Sequence, residues 1–261
     1  MDQNIEPGIL ETEISRREFI AGAGGLTFAF ALGGGLAGRA SDVQAAGENV
    51  RLNAFVTIAT DDTVTIMVPG AEMGQGVMTS LPLILAEELD ADWSKVKTEF
   101  APPIPKLYGN PHALLNGIPA SLASIAVAGF YTPLRIAGAQ ARRVLLDAVA
   151  ARWNVPASEL RTETGRVIHD KSGLRISYGE IVRFAAVPAE APKITEAELK
   201  KPANFRLIGR QDIGRLDVPS KVNGTALYGI DAQVPGMVYA SMLESPSEGA
   251  KAEKVDSSEA L

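Results

Sequence analysis

The sequence predicts an α+β fold in which short paired strands are combined with amphipathic helices. Two observations carry this prediction. Residues 54–60 alternate and are β-branched, Asp61-Asp62 is a turn, and residues 63–68 resume a strand, as in a hairpin. Residues 77–90 and 132–153 instead repeat apolar side chains every three to four positions, the period of a helix with one buried face. With 261 residues and 46% hydrophobic content, the chain can form one large domain or two small ones.

The first helix is predicted to follow the hairpin directly. An apolar side chain recurs at every fourth position from Val77 to Leu89, so this helix is expected to end near Asp90. Residues 95–100 have the composition of a strand. Residues 101–120 are rich in proline, glycine and asparagine and predict a long loop.

The second helix is predicted to begin at Thr132, a residue type that caps helices. Pro133 would then occupy the first helical position, where proline is tolerated, and the helix would run to about Trp153. Small residues between positions 137 and 141 permit the close approach of a neighbouring element. Residues 161–169 predict a small hairpin.

The remainder of the chain gives weaker signals. Residues 178–187 predict a short helix, and the proline- and charge-rich stretch that follows is typical of a surface linker. Three segments with strand-like composition come after it: 205–208, 226–230 and 237–243. The last eighteen residues, from Glu244, hold no complete element, so we expect the chain to end within a domain.

The absence of cysteine excludes several classes of site. The chain can supply no thiolate to an iron–sulfur cluster, a structural zinc or a disulfide. It has only two histidines, His112 and His169, which argues against a multi-histidine metal site. His112 lies in a loop without a visible partner, and His169 is predicted to lie on the surface of the hairpin. Any metal would therefore be held by something other than this protein.

The charge of the chain gives no indication of a nucleic-acid partner. The formal net charge is -6, and much of the acidity is local, because residues 1–45 hold three arginines and six acidic residues. Removal of this segment would leave 22 basic and 25 acidic groups. The remaining chain would be nearly neutral and would lack a long charge run to attract a polyanion.

Residues 1–45 are predicted to be a twin-arginine signal peptide. The pair Arg16-Arg17 precedes an uncharged run over 20–38 that is long enough to span a bilayer but rich in glycine. Small residues at 43–45 provide a cleavage site. We therefore expect a periplasmic protein, exported after a cofactor has been inserted. The alternative is an N-terminal anchor that is retained and associates the protein with the inner membrane.

The strongest functional signal is the segment Glu72-Met73-Gly74-Gln75-Gly76, between the second strand and the first helix. Two glycines around a glutamine let the backbone pass close to a ligand. The N-terminal amides of the following helix are a natural seat for phosphate. The Gln75 amide can donate and accept toward a heterocyclic ring. The alternative is a tight turn whose glycines satisfy backbone geometry alone. Glu72 is predicted to have a structural role, capping the turn.

Other polar side chains have simpler interpretations. The pair Glu87-Glu88 lies near the end of the first helix, where one of the two is predicted to face solvent and neither is assigned a catalytic role. Ser121 and Ser124 precede the second helix, where their hydroxyls could meet a phosphate or cap backbone amides. Capping is the default expectation. No Ser-His-Asp triad or catalytic carboxylate pair follows from the spacing.

These segments together resemble the N-terminal part of the molybdopterin-binding large subunits of the xanthine oxidase family. The resemblance is to the isoquinoline 1-oxidoreductase beta-subunit and membrane-associated aldehyde dehydrogenase type. Besides the leader, it is carried by GAEMGQGVMTSLPLILAEELDADWSKV (70–96), FYTPLRIAGAQARRVLLDAVAARWNVPASEL (130–160), SYGEIV (177–182) and FRLIGRQDIGRLDVPSKVNGTALYGIDAQVPGMVYA (205–240).

The resemblance implies a domain organisation and a set of cofactor contacts. Residues 46–186 would form a mixed α/β portion of a molybdopterin-binding domain, 187–214 a linker, and 215–261 the start of an α/β hammerhead domain. The dithiolene of the pterin would hold the molybdenum, so the chain need supply only amides and hydroxyls. The implied cofactor-binding residues are Met73, Gly74, Gln75, Gly76, Thr79 and Ser124.

The resemblance also implies a reaction and partners. The cofactor would be molybdenum-molybdopterin in its cytosine dinucleotide form, and iron–sulfur clusters would lie only in a small partner subunit, with a cytochrome c subunit as a candidate further partner. The complete enzyme would oxidise an aldehyde or N-heterocycle with water as oxygen donor. Its catalytic glutamate lies outside these residues, so this piece alone is expected to be inactive. The alternative is an exported non-catalytic remnant, or an assembly or interaction module.

Overall fold

The computed structural model describes residues 25–29, 54–188, 190–242, 244–251, 256 and 258. Most of the predicted signal peptide, including its arginine pair and its cleavage positions, lies outside the described residues. Among the described helices, none is both long enough and apolar enough to cross a membrane. The architecture is α+β, as the sequence predicts.

A four-stranded sheet forms the first layer, in the order β1-β2-β3-β4. Its strands are β1 (Gly25–Ala29), β2 (Ala54–Ala59), β3 (Val64–Val68) and β4 (Val96–Phe100). The pairs β1-β2 and β2-β3 are antiparallel, whereas β3-β4 is parallel. The predicted hairpin and the strand that follows the first helix are both confirmed. A parallel pair requires a crossover, and the first helix provides it.

Two helices cover this sheet. Helix α1 (Val77–Leu89) ends at Asp90, which takes the left-handed conformation (φ 57°), and this confirms the predicted end. The short helix α2 (Pro105–Tyr108) lies within the predicted loop. The long helix α3 (Ala126–Trp153) packs chiefly against α1. Apolar side chains of both helices and the sheet form the buried core.

The predicted start of the second helix was wrong. Helix α3 begins at Ala126, six residues before Thr132, and Pro133 lies inside it. Proline cannot donate the main-chain hydrogen bond of a helix interior, which is why it suggests a helix start. Here Gly129 and Phe130 are both buried, and packing of this additional turn compensates for the missing bond.

The close approach predicted for the small residues of α3 is confirmed at Gly138. A Cβ added there would lie 2.4 Å from the Leu85 carbonyl oxygen and 3.0 Å from the Glu88 Cβ. The backbones of α1 and α3 therefore pass each other at a distance that only glycine permits. This contact fixes where the C-terminal half of α1 lies against α3.

A second, smaller sheet contains β5 (Leu160–Glu163), β6 (Arg166–His169) and β7 (Leu174–Ser177), all antiparallel. The first two strands are the predicted hairpin, and β7 was not predicted. Helix α4 (Tyr178–Ile181) covers only the first turn of the short helix predicted over 178–187. Ser177 and Glu180 form a capping box at its start.

The strand predicted over 205–208 is absent. The main-chain N–H groups of Arg206, Leu207 and Ile208 donate to the Glu87 carboxylate instead of to a neighbouring strand. The Leu207 side chain is buried, so the apolar residues that suggested a strand do enter the core. They enter it as an irregular segment.

The described residues fall into two units, divided between Pro219 and Ser220. Helix α5 (Val218–Val222) crosses this division, and the second unit contains a turn over Gly229–Asp231. The strands predicted over 226–230 and 237–243 are absent from its described residues. Leu227 and Ile230 are 88% and 94% exposed, so no core supports a strand there.

Candidate functional site

Residues 71–76, hereafter the bend, connect β3 to α1 on the surface of the first unit. Met73 is 69% exposed, and Gly74 and Gln75 are also exposed. Gly74 and Gly76 have φ values of 104° and 90°, which side chains rarely adopt. A Cβ built on Gly74 would meet no atom within 4 Å. The bend therefore presents its main chain to open surface, as a ligand-binding loop requires.

The Glu72 carboxylate organises the bend from within. It accepts hydrogen bonds from the main-chain N–H groups of Gly74 (2.8 Å), Gly76 (3.0 Å) and Met78 (3.0 Å). Burial raises the pKa of Glu72, but these three donors outweigh it and hold the pKa below its ordinary value. The predicted structural role of Glu72 is confirmed. A carboxylate, favoured by the helix dipole, therefore occupies the position that the sequence suggested for phosphate.

The Gln75 side-chain amide closes the bend on itself. Its Oε1 accepts from the Met73 N–H at 2.5 Å, and its Nε2 donates to the Ala71 carbonyl at 2.6 Å. An amide has a further N–H and a further lone pair, so these two bonds leave it able to contact a ligand. Gln75 is thus both part of the bend and available at its surface.

The remaining predicted contacts divide into two groups. Thr79 is buried, and its hydroxyl accepts from the Leu216 N–H at 2.9 Å. The Ser121 hydroxyl accepts from the Ala71 N–H at 2.9 Å, which is the capping role expected by default. Ser124 is exposed just before α3, in the left-handed conformation with φ 56°. Met73, Gly74, Gln75 and Ser124 are therefore the exposed members of the predicted set, whereas Gly76 is half-buried and Thr79 is buried.

Arg215 contacts the bend and was not predicted. Its Nη1 donates to the Gly74 carbonyl at 2.8 Å, and its Nη2 lies 3.3 Å from Glu72 Oε1. The same guanidinium pairs with Asp217 at 2.6 and 3.0 Å. Arg215 lies 141 residues from Gly74 in the sequence, and no local pattern connects the two.

The prediction that either Glu87 or Glu88 faces solvent was wrong, because both are fully buried. Glu87 accepts from the main-chain N–H groups of Arg206, Leu207 and Ile208 and from the Lys200 Nζ at 3.0 Å. Burial raises the pKa of Glu87, but these donors outweigh it and lower the pKa overall.

Glu88 and the adjacent Asp90 complete a buried charge cluster at the end of α1. Glu88 accepts from Arg135 Nε at 2.8 Å, while Asp90 accepts from Lys200 Nζ and Thr162 Oγ1, both at 2.6 Å. Adjacent helix positions normally face different sides, but α3 and the 200–208 segment cover this end of α1 from both directions. The cluster therefore anchors chain segments.

The two histidines make local contacts. His112 Nδ1 accepts from the Leu114 N–H at 3.3 Å. His169 is 5% exposed, so its predicted surface position was wrong. Its Nδ1 lies 2.7 Å from Ser172 Oγ and its Nε2 3.1 Å from Glu159 Oε2, so the ring bridges two turns. Across the described residues, no group of three or more His, Cys, Asp or Glu side chains is placed to bind a metal.

Acidification is expected to destabilise the fold through Glu72 and Glu87. Both carboxyls have a pKa that is lowered on folding. Their stabilising contribution is therefore complete at pH values above the pKa of a glutamate in the unfolded chain, about 4.3. It is lost as the pH falls through the lower pKa values of the folded chain. Glu72→Gln should lower the free energy of unfolding at pH 7. Between about pH 6 and 3, the unfolding free energy of this variant should decrease less than that of the wild type. Urea unfolding at several pH values checks this, and equal pH slopes for the two proteins would contradict it.

A family model described as a molybdopterin cofactor-binding domain matches residues 12–212. The beta chain of isoquinoline 1-oxidoreductase from Brevundimonas diminuta is 38% identical over 287 residues, covering 97% of this chain and 36% of that protein. The membrane-bound aldehyde dehydrogenase [pyrroloquinoline-quinone] of Gluconacetobacter polyoxogenes is 34% identical over 212 residues, covering 79% of this chain and 26% of that protein.

A nicotinate dehydrogenase subunit of Pseudomonas putida is 31% identical over 200 residues, covering 75% of this chain and 15% of that protein. Among solved structures, quinoline 2-oxidoreductase from Pseudomonas putida 86 aligns with a TM-score of 0.37 and 19% identity, over 49% of this chain and 15% of that chain. The chain thus spans about a third or less of the length of the curated relatives it matches.

Proposed function

The chain belongs to the xanthine oxidase family of molybdopterin-binding subunits, and on that premise we propose that the bend is its contact surface for the pterin of a molybdenum cofactor. The observation that carries this proposal is the exposed main chain at Gly74. A flat ring can approach a backbone that has no Cβ and no neighbouring atom in the way. The resemblance includes this segment without interruption, from Gly70 to Val96.

The residues of the bend fit such a group. The cofactor carries its metal on its own dithiolene, so a chain without cysteine need supply only amides and hydroxyls. At Gly74 the main-chain N–H and carbonyl are already paired with Glu72 and Arg215, so what the bend offers there is a surface without a Cβ. The polar contacts come from the remaining N–H and lone pair of the Gln75 amide, and Met73 adds a large apolar side chain that can pack on a ring face. A pterin is recognised by such amide donors and acceptors.

The fit is poorer for phosphate. The Glu72 carboxylate already accepts from the Gly76 and Met78 N–H groups at the start of α1, and a second anion there would be repelled. The cytosine dinucleotide form is therefore proposed on the resemblance to the family alone. Ser124, exposed before α3, is a candidate donor for another part of the cofactor.

In this arrangement each residue of the bend has a distinct task. Glu72 holds the N–H groups of Gly74 and Gly76 in place, and Gln75 fixes the curvature while presenting its amide. When bound, the cofactor supplies the two-electron oxidation of the substrate. The contribution of this chain is to hold and orient one face of it without reorganisation.

The activity of the whole protein is a wider proposal. We infer that the complete enzyme oxidises an aldehyde or an N-heterocycle with oxygen from water, since its relatives carry names of that kind. Electrons would pass to a small iron–sulfur subunit, with a cytochrome c subunit as a candidate acceptor. The residues present here would bind cofactor but not turn over substrate by themselves.

We also propose export to the periplasm by the twin-arginine route. The support is in the sequence: Arg16 and Arg17 precede a glycine-rich uncharged run. Insertion of a large cofactor inside the cell requires that the protein fold before it crosses the membrane. Sequencing the N-terminus of protein recovered from the periplasm tests this. A mature form beginning near Ala46 is expected, which would keep β2 to β4 of the sheet and lose the edge strand β1.

Substitution at Gly74 tests the proposed contact. Gly74→Val should abolish most of the pterin retained by the chain, because the new side chain stands on the surface that the ring would cover. The fold should lose only about 1 to 2 kcal/mol, from the unfavourable φ. Pterin is measured as its fluorescent oxidation product after co-expression with the cofactor machinery and gel filtration.

The matched control is Gly173→Val. Gly173 also has a positive φ (70°) and open space around its Cβ position, but it lies in the turn between β6 and β7. The Gly173→Val protein should lose about as much stability as Gly74→Val and should keep its pterin. Equal pterin contents in the two variants would argue against the bend as the contact surface.

A further inference from the structure

Residues 215–217, hereafter the brace, hold the bend from outside. We propose that Arg215 and Asp217 are positioning residues, which fix the bend in the shape that receives the cofactor. This inference rests on the proposed function, because it assigns the brace a task in cofactor binding. Its first step, that the brace fixes the bend, can be tested without any cofactor.

The guanidinium of Arg215 is the centre of the brace. It donates to the Gly74 carbonyl at 2.8 Å and lies 3.3 Å from Glu72 Oε1. Its Nη2 and Nε also donate hydrogen bonds to the Asp217 carboxylate, at 2.6 and 3.0 Å. One planar group thus joins the exposed apex of the bend to the carboxylate that organises it. A forked, planar cation suits this task and the single ammonium of lysine does not.

A second contact anchors the brace to α1. The Leu216 N–H donates to the buried Thr79 hydroxyl at 2.9 Å. The resemblance suggested Thr79 as a residue near the cofactor, but in this structure its hydroxyl holds the brace. The brace is therefore fixed at one point to the helix and at another to the bend.

The charges explain why a cation is needed here. The side chains of Glu72 and Asp217 are only 6% and 9% exposed, and Arg215 lies between them. Asp217 disfavours ionisation of Glu72, so the two carboxylates repel. Without the guanidinium, Glu72 would hold the amides of the bend less firmly. Loss of Arg215 should therefore loosen the bend selectively.

The test compares Arg215→Gln with Arg210→Gln. Arg210 makes the same kind of pair with Asp212, two residues on, at 2.8 Å, and both side chains are exposed. In protein from a host that makes no molybdopterin, hydrogen exchange of the Gly74, Gly76 and Met78 amides is measured. Arg215→Gln should speed exchange at these amides about tenfold, with the rest of the chain unchanged. Arg210→Gln should leave them as in the wild type, and Arg215→Lys should be intermediate.

The same variants are then co-expressed with the cofactor machinery, and the loss of pterin during repeated gel filtration is followed. Arg215→Gln should lose pterin about tenfold faster than Arg210→Gln at equal melting temperature. Unchanged hydrogen exchange at the bend in Arg215→Gln would overturn the proposal that the brace fixes the bend. Faster exchange with unchanged pterin retention would overturn its positioning role. A wild type that never contains pterin would overturn the proposed function and that role together, while the exchange result would still show whether the brace fixes the bend.

Discussion

Glu87→Ala is expected to lower the free energy of unfolding by about 3 to 5 kcal/mol. The substitution removes one carboxylate and leaves the N–H groups of Leu207 and Ile208 without their acceptor, while the Lys200 ammonium loses one of its acceptors and keeps Asp90. Glu87 is fully buried, so water cannot replace it without opening the fold. Such a loss is a large part of the stability of an ordinary domain. Urea unfolding followed by circular dichroism measures it.

Two further variants separate this effect from a general loss of charge. Glu87→Gln keeps the shape and one acceptor oxygen, so it should fall between wild type and Glu87→Ala. Asp147→Ala removes an exposed partner of Arg143 on α3 and should change stability by less than about 1 kcal/mol. If Glu87→Ala unfolds like Asp147→Ala, the 200–208 segment is not anchored to α1 in the way described.

Gly138→Ala is expected to destabilise the fold by about 1 to 3 kcal/mol or more. Helix propensity alone predicts the opposite, because alanine in a helix is favoured over glycine by about 1 kcal/mol. Packing reverses the sign of this effect on stability, since the new Cβ would lie 2.4 Å from the Leu85 carbonyl oxygen. That neighbour is main chain and can move only if α1 shifts away from α3. Thermal and urea unfolding both report the change.

The control for this substitution is Ala151→Gly, at an exposed position of the same helix. It should cost about 1 kcal/mol through propensity alone. A stabilised Gly138→Ala protein would mean that the two helices are further apart than the structure places them.

The parts of the fold that were predicted correctly depend on local patterns. The two strands of the hairpin, on either side of a polar turn, are β-branched and alternate over 56–58 and 64–66, and α1 ends at Asp90 where its apolar period stops. The errors arise where tertiary packing overrides a local signal. Pro133 suggested a helix start, but α3 begins seven residues earlier, at Ala126, where Phe130 of the additional turn is buried. The apolar segment 205–208 resembled a strand, yet its N–H groups are taken by a buried glutamate.

The same distinction applies to the site. Two glycines around Gln75 identified the bend from sequence, and the capping role of Glu72 followed from its position before a helix. At the seat predicted for phosphate, a carboxylate of the chain itself accepts from the Met78 N–H. Arg215 could not be found from sequence, since it reaches Gly74 across 141 residues. A residue that reaches a site from a distant part of the sequence cannot be identified from a local motif.

We propose that the exposed bend receives a pterin that carries its own molybdenum. The most direct test is the molybdenum and pterin content of the purified chain after co-expression with the cofactor machinery. The structure predicts about one molybdenum and one pterin for each chain, lost together in Gly74→Val. A wild-type chain that is folded but contains neither would contradict the claim and would favour a non-catalytic interaction module.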